Sequence, residues 1–303
     1  MLIVTDTAGP IGSLVAEALL KAGERIRVTG SDPGTFKQFA ALGAEAITCD
    51  PTNEDRLTSI FQGACGIYLA LPHESKYRED FCDYQKRVAG AYARAIQRAG
   101  IRHVVSQSSV GVHLDAGNWL LAGLRNFEES LNSIASLNVL HLRPAHFLEN
   151  LGAEILPTMN LLIGAIAADL PLSIVIPQDV ADYAARRLMM LDFSGHSAQE
   201  LLGAGEITMR ELAHVIGRSL EKPGMKYVQL ARPAVERWLS RVGLPPCSAA
   251  MVLDLWDKVN EGKLQPLEAR VPNHATPTSV ECFVARGSLR PSSPQPRMTS
   301  IPA

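Results

Sequence analysis

The chain has 303 residues, enough to bury a large core, and 29 Lys and Arg against 31 Asp and Glu give a formal charge of −2. The basic residues are scattered singly, which argues against direct nucleic-acid binding. Cys49, Cys65, Cys82, Cys247 and Cys282 show no CxxC spacing, so neither a zinc site nor a disulfide framework is expected; without a leader-like start or a bilayer-length apolar run, the expected location is cytoplasmic, with no membrane association.

Leu2-Ile3-Val4 reads as a strand entering a turn, and Ile11 to Leu20 repeats apolar residues at helical spacing up to Ala22-Gly23. Ile26 to Thr29 follows as a strand, Thr35 to Leu42 as a helix, and Glu45 to Thr48 as a third strand ending at Cys49-Asp50. Leu57 to Phe61 gives a further helix. Gly66 to Leu71 is apolar without alternation, the pattern of a strand buried on both faces. A long helix from about Arg78 to Ala99 leads to the strand His103 to Ser106, a helical stretch runs from Asn118 to Ile134, and Val139 to Arg143 is a strand closed by Pro144. Strands alternating this regularly with helices imply an α/β fold built on a doubly wound parallel sheet of Rossmann type.

Beyond Asn150 the alternation fades, and a smaller, mostly helical C-terminal part is expected. Met159 to Asp169 reads as an apolar helix or loop, and Val180 to Leu191 and Met209 to Leu220 as helices, the second capped by Thr208 with Glu211 completing a box. Gly262 to Ala275 is a Pro-containing connector. The expected division is 1–150 for the nucleotide-binding unit and 151–286 for a substrate-capping part, with the segment around Val180 returning to the first unit. Residues 287–303, rich in Pro and Ser, are expected to form a disordered tail.

The turn after the first strand carries the first chemistry. A dinucleotide site needs backbone amides able to approach the pyrophosphate and a helix N-terminus facing the anion. Thr5-Asp6-Thr7-Ala8-Gly9-Pro10-Ile11-Gly12 supplies two of the three expected glycines, and Asp6 stands where the first belongs. Asp tolerates the left-handed backbone, so the turn is expected to survive, but its carboxylate opposes two phosphates unless it points away or is paired. At the end of the second strand, where an acid favours NAD and an Arg favours NADP, stand Gly30-Ser31-Asp32-Pro33; this leaves NADP or NAD open. Asp50 reaches the adenine amine or serves as a turn residue before the next helix.

Together these pieces resemble the NmrA-like branch of the atypical short-chain dehydrogenases, which includes NADP-sensing regulators, quinone oxidoreductases and isoflavone reductase-like enzymes. The resemblance rests on the glycine loop, Ser31-Asp32-Pro33, Cys49-Asp50, Leu69-Ala70-Leu71-Pro72, Ile101 to Val105 leading to Ser108-Ser109, and Leu142-Arg143-Pro144 with Phe147-Leu148-Glu149-Asn150. Asp179-Val180-Ala181 and Thr276-Pro277-Thr278 are late markers. It implies that Asp6, Thr7, Ala8, Gly9, Pro10, Ile11 and Gly12 surround the pyrophosphate and that Ser31 lies by the adenosine ribose. It further implies that Asp50 and Pro51 flank adenine, and that Leu71, Pro72, Pro144, Ala145, His146 and Phe147 approach the nicotinamide.

The Tyr and Lys pair, four residues apart, that ordinary short-chain dehydrogenases use is missing. Tyr77 lines the cleft mouth or is a solvated loop residue. His113, after the fifth strand, is either a proton donor or a polar loop residue. Arg125 contacts the ribose or substrate, or pairs with Glu129 one helical turn on; a guanidinium that stays charged is a poor proton donor. His146 touches nicotinamide or substrate, or packs in the core, and Ser108 hydrogen-bonds cofactor or substrate. No GxSxG elbow surrounds Ser108, and the dispersed histidines make no metal site. The favoured expectation is an NAD(P)H-dependent reductase of a quinone, conjugated carbonyl or similar aromatic small molecule. The alternative is a non-catalytic dinucleotide sensor acting through a protein partner.

Overall fold

The computed structural model describes residues 1–72, 78, 80–114, 119–151, 153–267, 271 and 274–286. The strands of the first half are β1 (Leu2–Thr5), β2 (Ile26–Gly30), β3 (Glu45–Thr48), β4 (Gly66–Leu69), β5 (His103–Gln107) and β6 (Asn138–Pro144). Its helices are α1 (Pro10–Lys21), α2 (Lys37–Ala41), α3 (Glu54–Phe61), α4 (Phe81–Ala99) and α5 (Trp119–Asn132). The second half adds β7 (His146–Phe147), β8 (Ala153–Leu156), β9 (Leu161–Gly164), β10 (Leu172–Val175), β11 (His196–Leu201), β12 (Glu206–Ile207) and β13 (Lys226–Gln229). Its helices are α6 (Pro177–Met190), α7 (Met209–Ser219), α8 (Arg232–Arg241), α9 (Pro246–Asn260) and α10 (Val280–Ala285).

The main sheet has seven strands in the order β11-β6-β5-β4-β1-β2-β3, and every neighbouring pair is parallel. Chain direction across the sheet reverses between β1 and β4, so their carboxyl ends open a crevice there, where doubly wound sheets take ligands. Helices cover both faces. On one, Val15, Leu19, Val180, Ala184 and Leu188 of α1 and α6 pack on Val4, Val28, Tyr68 and Val105. On the other, Leu57, Phe61, Val88, Tyr92, Phe127 and Leu131 of α3, α4 and α5 pack on Ile3, Ile67, Leu69 and Val104. The α/β doubly wound fold expected from the alternation is the fold found.

Local chemistry sets the boundaries. Pro10 occupies the first turn of α1, where a missing N–H is harmless; Asn53 caps α3 by accepting from the Arg56 amide; and α4 stops at Gly100, whose φ is 68°. The capping box of Thr208 and Glu211 on α7 is present in both directions.

Beyond Asn150 the structure holds more strand than the periodicity shows. The segment read as a helix or loop over 159–169 contains β9, antiparallel to β8 and parallel to β13. Leu161-Leu162-Ile163 is too short an apolar run to choose its state alone, and its two partners decide it. The seventh strand of the main sheet, β11, is missed for the opposite reason. His-Ser-Ala-Gln-Glu-Leu is mostly polar because it lies on a sheet edge, and it is recruited by a six-residue register with β6. A second core, including Leu162, Leu172, Ile174, Met209, Leu212, Ile216, Leu253, Trp256 and Val284, joins β9 and β10 to α7, α9 and α10. Among the described residues, no helix is long and apolar enough to cross a membrane. Tyr77, Asn118, part of the 262–275 connector and the 287–303 tail lie outside the described residues.

Candidate functional site

The β1–α1 turn lies at the sheet's reversal point. Asp6 has φ of 52°, and its carbonyl accepts from the Gly9 amide at 2.9 Å, closing the turn. Asp therefore occupies the left-handed position where glycine is usual, as its tolerance of that region leads one to expect. Gly12 is fixed by contact rather than by freedom, since a Cβ there would meet the carbonyl oxygens of Asp6 at 2.4 Å and Thr5 at 2.7 Å. At Gly9 a Cβ would come within 2.3 Å of Asp6 Oδ2, so the Asp6 carboxylate is folded against this glycine. Thr5 Oγ1 donates to the Tyr68 carbonyl at 3.3 Å and accepts from the Ala70 amide at 3.1 Å, locking the ends of β1 and β4 together. The phenols of Tyr68 and Tyr92 are pushed upward first by burial and then by the charge of Asp6.

Two observations fit this turn to an anionic group. The first-turn amides of α1 have no acceptor within the helix, and the buried Thr7 Oγ1 has no hydrogen-bond partner among the described residues. Ala8 is exposed and Pro10 and Ile11 begin α1. Asp6 is the member whose charge opposes such a group.

The remaining expected residues are distributed along the same sheet edge. Ser31 and Asp32, both exposed, follow β2, and Asp32 Oδ1 accepts from the Gly34 amide at 2.7 Å. Asp50 Oδ1 accepts from the Thr52 amide at 2.8 Å and from Thr52 Oγ1 at 2.7 Å, so its turn role is present in the structure; Pro51 beside it is buried. Leu71 and Pro72 are buried at the end of β4. Pro144 ends β6 and Ala145 is buried after it. His146 and Phe147 form β7, paired with Ile174 and Val175 of β10. His146, Ala145, Val110, Ser173 and Leu264 line a void of about 10 Å³, room for about one water. Burial pushes His146 down to about 4, so its ring is neutral near pH 7.

His113 is exposed in the turn after β5. Arg125 does not simply line α5: its Nε donates to the Val112 carbonyl at 2.9 Å and its terminal nitrogen to the Leu114 carbonyl. The guanidinium thus grips the residues on either side of His113. Ser108 is buried, its amide donating to the Leu142 carbonyl at 2.7 Å, while its hydroxyl has no hydrogen-bond partner among the described residues.

The sequence reading missed a polar network behind this edge. Glu128 accepts from Arg143 Nε at 3.0 Å and from its terminal nitrogen at 2.6 Å. Burial is the largest single influence and would raise the Glu128 carboxyl, but the Arg143 hydrogen bonds and charge, together with His141 and Ser108, hold it below its ordinary value. Nearby, His141 Nδ1 lies 2.6 Å from Ser106 Oγ and His141 Nε2 lies 2.9 Å from Asn132 Oδ1. An amide oxygen only accepts, so Nε2 carries the proton and Ser106 donates to Nδ1. Ser106 is fully buried, which leaves no surface for a substrate and makes this chain a packing device rather than a nucleophile. The available signal was His141 and Arg143 at alternate positions of an otherwise apolar strand, with Glu128 and Asn132 one turn apart on α5. Glu149 is a second residue the reading left without a role: it is open to solvent on one side, and desolvation by the surrounding protein raises its carboxyl.

Residues 7–155 match the profile of NAD(P)H-binding domains. No curated protein matches the chain in sequence. Among solved structures, the Citrobacter sp. triphenylmethane reductase complexed with NADP(H) is similar with a TM-score of 0.76 at 16% identity, over 95% of this chain and 100% of that one. The NADPH complex of an Escherichia coli NADPH-dependent quinone oxidoreductase is similar with a TM-score of 0.74 at 22% identity, over 95% and 98%. The Vitis vinifera leucoanthocyanidin reductase–NADPH complex is similar with a TM-score of 0.68 at 12% identity, over 91% of each chain. Residues 7–155 thus match an NAD(P)H-binding domain, whose cofactor class is NAD or NADP, and the chain as a whole shares the fold of these reductase structures.

Proposed function

We propose that this protein is an NAD(P)H-dependent reductase that passes hydride to a quinone, a conjugated carbonyl or a similar aromatic small molecule. The observation that carries the reading is the β1–α1 turn, closed by a left-handed Asp6 and pressed tightly onto Gly12 at the sheet's reversal point. The cofactor, when bound, supplies the hydride. In this reading, Thr7 to Gly12 hold the pyrophosphate, Ser31 and Asp50-Pro51 border the adenosine, and Leu71-Pro72 with Pro144 to Phe147 border the nicotinamide.

Such acceptors need one proton for each hydride. In this reading His113, between the two carbonyls that Arg125 holds, is the proton donor. His146, neutral at pH 7, orients the acceptor through a ring N–H and does not serve as the acid. A groove of about 440 Å³ lined by Leu230, Arg232, Val235, Leu253, Trp256 and Asn260 is of the size an aromatic ligand fills, and Trp256 Nε1 donates to the Asn150 carbonyl at 3.1 Å, beside Glu149.

The test is oxidation of NADH and of NADPH by the purified protein with a panel of quinones, followed by His113→Ala. Turnover that the substitution slows supports the reading. Dinucleotide binding without turnover on any acceptor would replace it with a sensor that acts through a protein partner. Binding of neither dinucleotide would overturn both.

A further inference from the structure

The chain leaving α9 forms a strap, 263–267, that is held firmly at its ends and loosely between them. α9 stops at Gly262, whose φ is 68°, with the Gly262 amide donating to the Val259 carbonyl and the Lys263 amide to the Lys258 carbonyl, each at 2.9 Å. At the far end the Leu267 amide donates to the buried Glu200 carboxylate of β11 at 3.1 Å. Between these anchors Pro266 has no N–H, and among the described residues no backbone hydrogen bond ties Leu264 or Gln265. The middle of the strap is held instead by the Leu264 side chain, which is 6% exposed although it belongs to no helix or strand.

Leu264 is seated on the turn after β5. A Cβ on Gly111, whose φ is 83°, would lie 3.0 Å from Leu264 Cδ2, so glycine is needed there both for the backbone and for the seat. The same turn carries the Val112 and Leu114 carbonyls that Arg125 holds on either side of His113. The strap also walls the void beside His146, to which Leu264, Gln265 and Pro266 all contribute. Its volume of about 10 Å³ holds about one water and no aromatic ring, so a ring set against His146 has to take the space that Leu264 fills. Val259 lines this void whereas Trp256 and Asn260 line the larger groove, so the last turn of α9 stands between the two.

We propose that Leu264 is a specificity-determining residue that limits the size of the aromatic acceptor admitted beside His146, favouring one ring over two fused rings. The proposal rests on the reading that Pro144 to Phe147 border the nicotinamide. The side chain yields to a ligand by swinging out with Gln265, whose backbone gives up no hydrogen bond, while the anchors at Lys263 and Leu267 stay in place.

The experiment measures, by calorimetry on the full-length protein with and without NAD⁺ or NADP⁺, the dissociation constants of phenol and 2-naphthol, unreactive probes with one ring and two. Leu264→Ala should tighten 2-naphthol at least about tenfold more than phenol, the factor that one or two carbons of pocket space control, and Leu264→Phe should shift the ratio the other way. Should the loss of packing on Gly111 leave Leu264→Ala unfolded, Leu264→Val makes the same comparison with a gain of several-fold. A naphthol-to-phenol ratio unchanged in the smaller and larger variants, or a smaller variant that binds both probes more weakly, overturns the proposal. Quinone-dependent oxidation of NADH or NADPH by the native protein is read separately: turnover with an unchanged ratio leaves the reductase reading standing, and a shifted ratio without turnover keeps the size limit at His146 while removing the hydride step.

Discussion

Replacing Asp6 by Asn removes one negative charge from the turn between β1 and α1 while keeping a side chain that accepts the left-handed backbone held there at φ of 52°. The carboxylate lies against Gly9, within the loop that would hold the pyrophosphate. A unit charge at about 6 Å from another, in an effective dielectric constant near 20, contributes about 3 kcal/mol before screening. Ionic screening and solvent access at the crevice reduce that to about 1–2 kcal/mol, a roughly 5- to 30-fold tighter dissociation constant for Asp6→Asn. Asp6→Gly should give a similar gain, with little change in stability, because relief of the left-handed strain offsets the greater freedom of glycine in the unfolded chain. Calorimetric titration at two salt concentrations reads both variants, and NADH and NADPH should improve by the same factor. If both variants bind as the native protein does, Asp6 is turned away from the anion; if both bind more weakly, the carboxylate helps to hold the ligand and the electrostatic argument fails.

His141 and His146 are both pushed down to about 4 by burial, so each is neutral in the folded state and charges more readily in the unfolded one. Their contribution is therefore complete above the unfolded value of about 6.5 and is lost as pH falls toward 4, by up to about 3 kcal/mol each. Urea midpoints at pH 7.5, 6 and 5 should fall, and His141→Gln should flatten the decline; an unchanged slope would refute the assignment. Arg143→Met strands the buried Glu128 carboxylate and should cost about 3–5 kcal/mol in urea unfolding, whereas pairing it with Glu128→Leu should recover much of that loss. Arg125→Met releases the carbonyls flanking His113 and, if the reductase reading is right, should lower kcat about tenfold with the dinucleotide dissociation constant unchanged; a change confined to cofactor binding would instead place Arg125 at the ribose.

The first half of the chain is legible because its central strands β1 and β4 are buried on both faces and its helices on one. Gly66-Ile67-Tyr68-Leu69 and the stripe of α1 therefore carry their environments in their composition. The same reasoning has no purchase on β11, whose polar face meets solvent, or on β9, where partners distant in sequence settle the state of a short apolar run. Site residues divide along the same line. Asp6 was legible because a glycine-patterned turn makes any replacement visible, and its backbone conformation follows from residue type alone. The direction of its carboxylate does not, since that depends on how closely Gly9 approaches.

Arg125 shows why side-chain roles are harder to read than backbone ones. On its own helix the available partner was Glu129, four residues on, and helical spacing could suggest nothing else. The structure instead gives the guanidinium two carbonyls from the turn after β5, a pairing set by how α5 packs across the sheet edge.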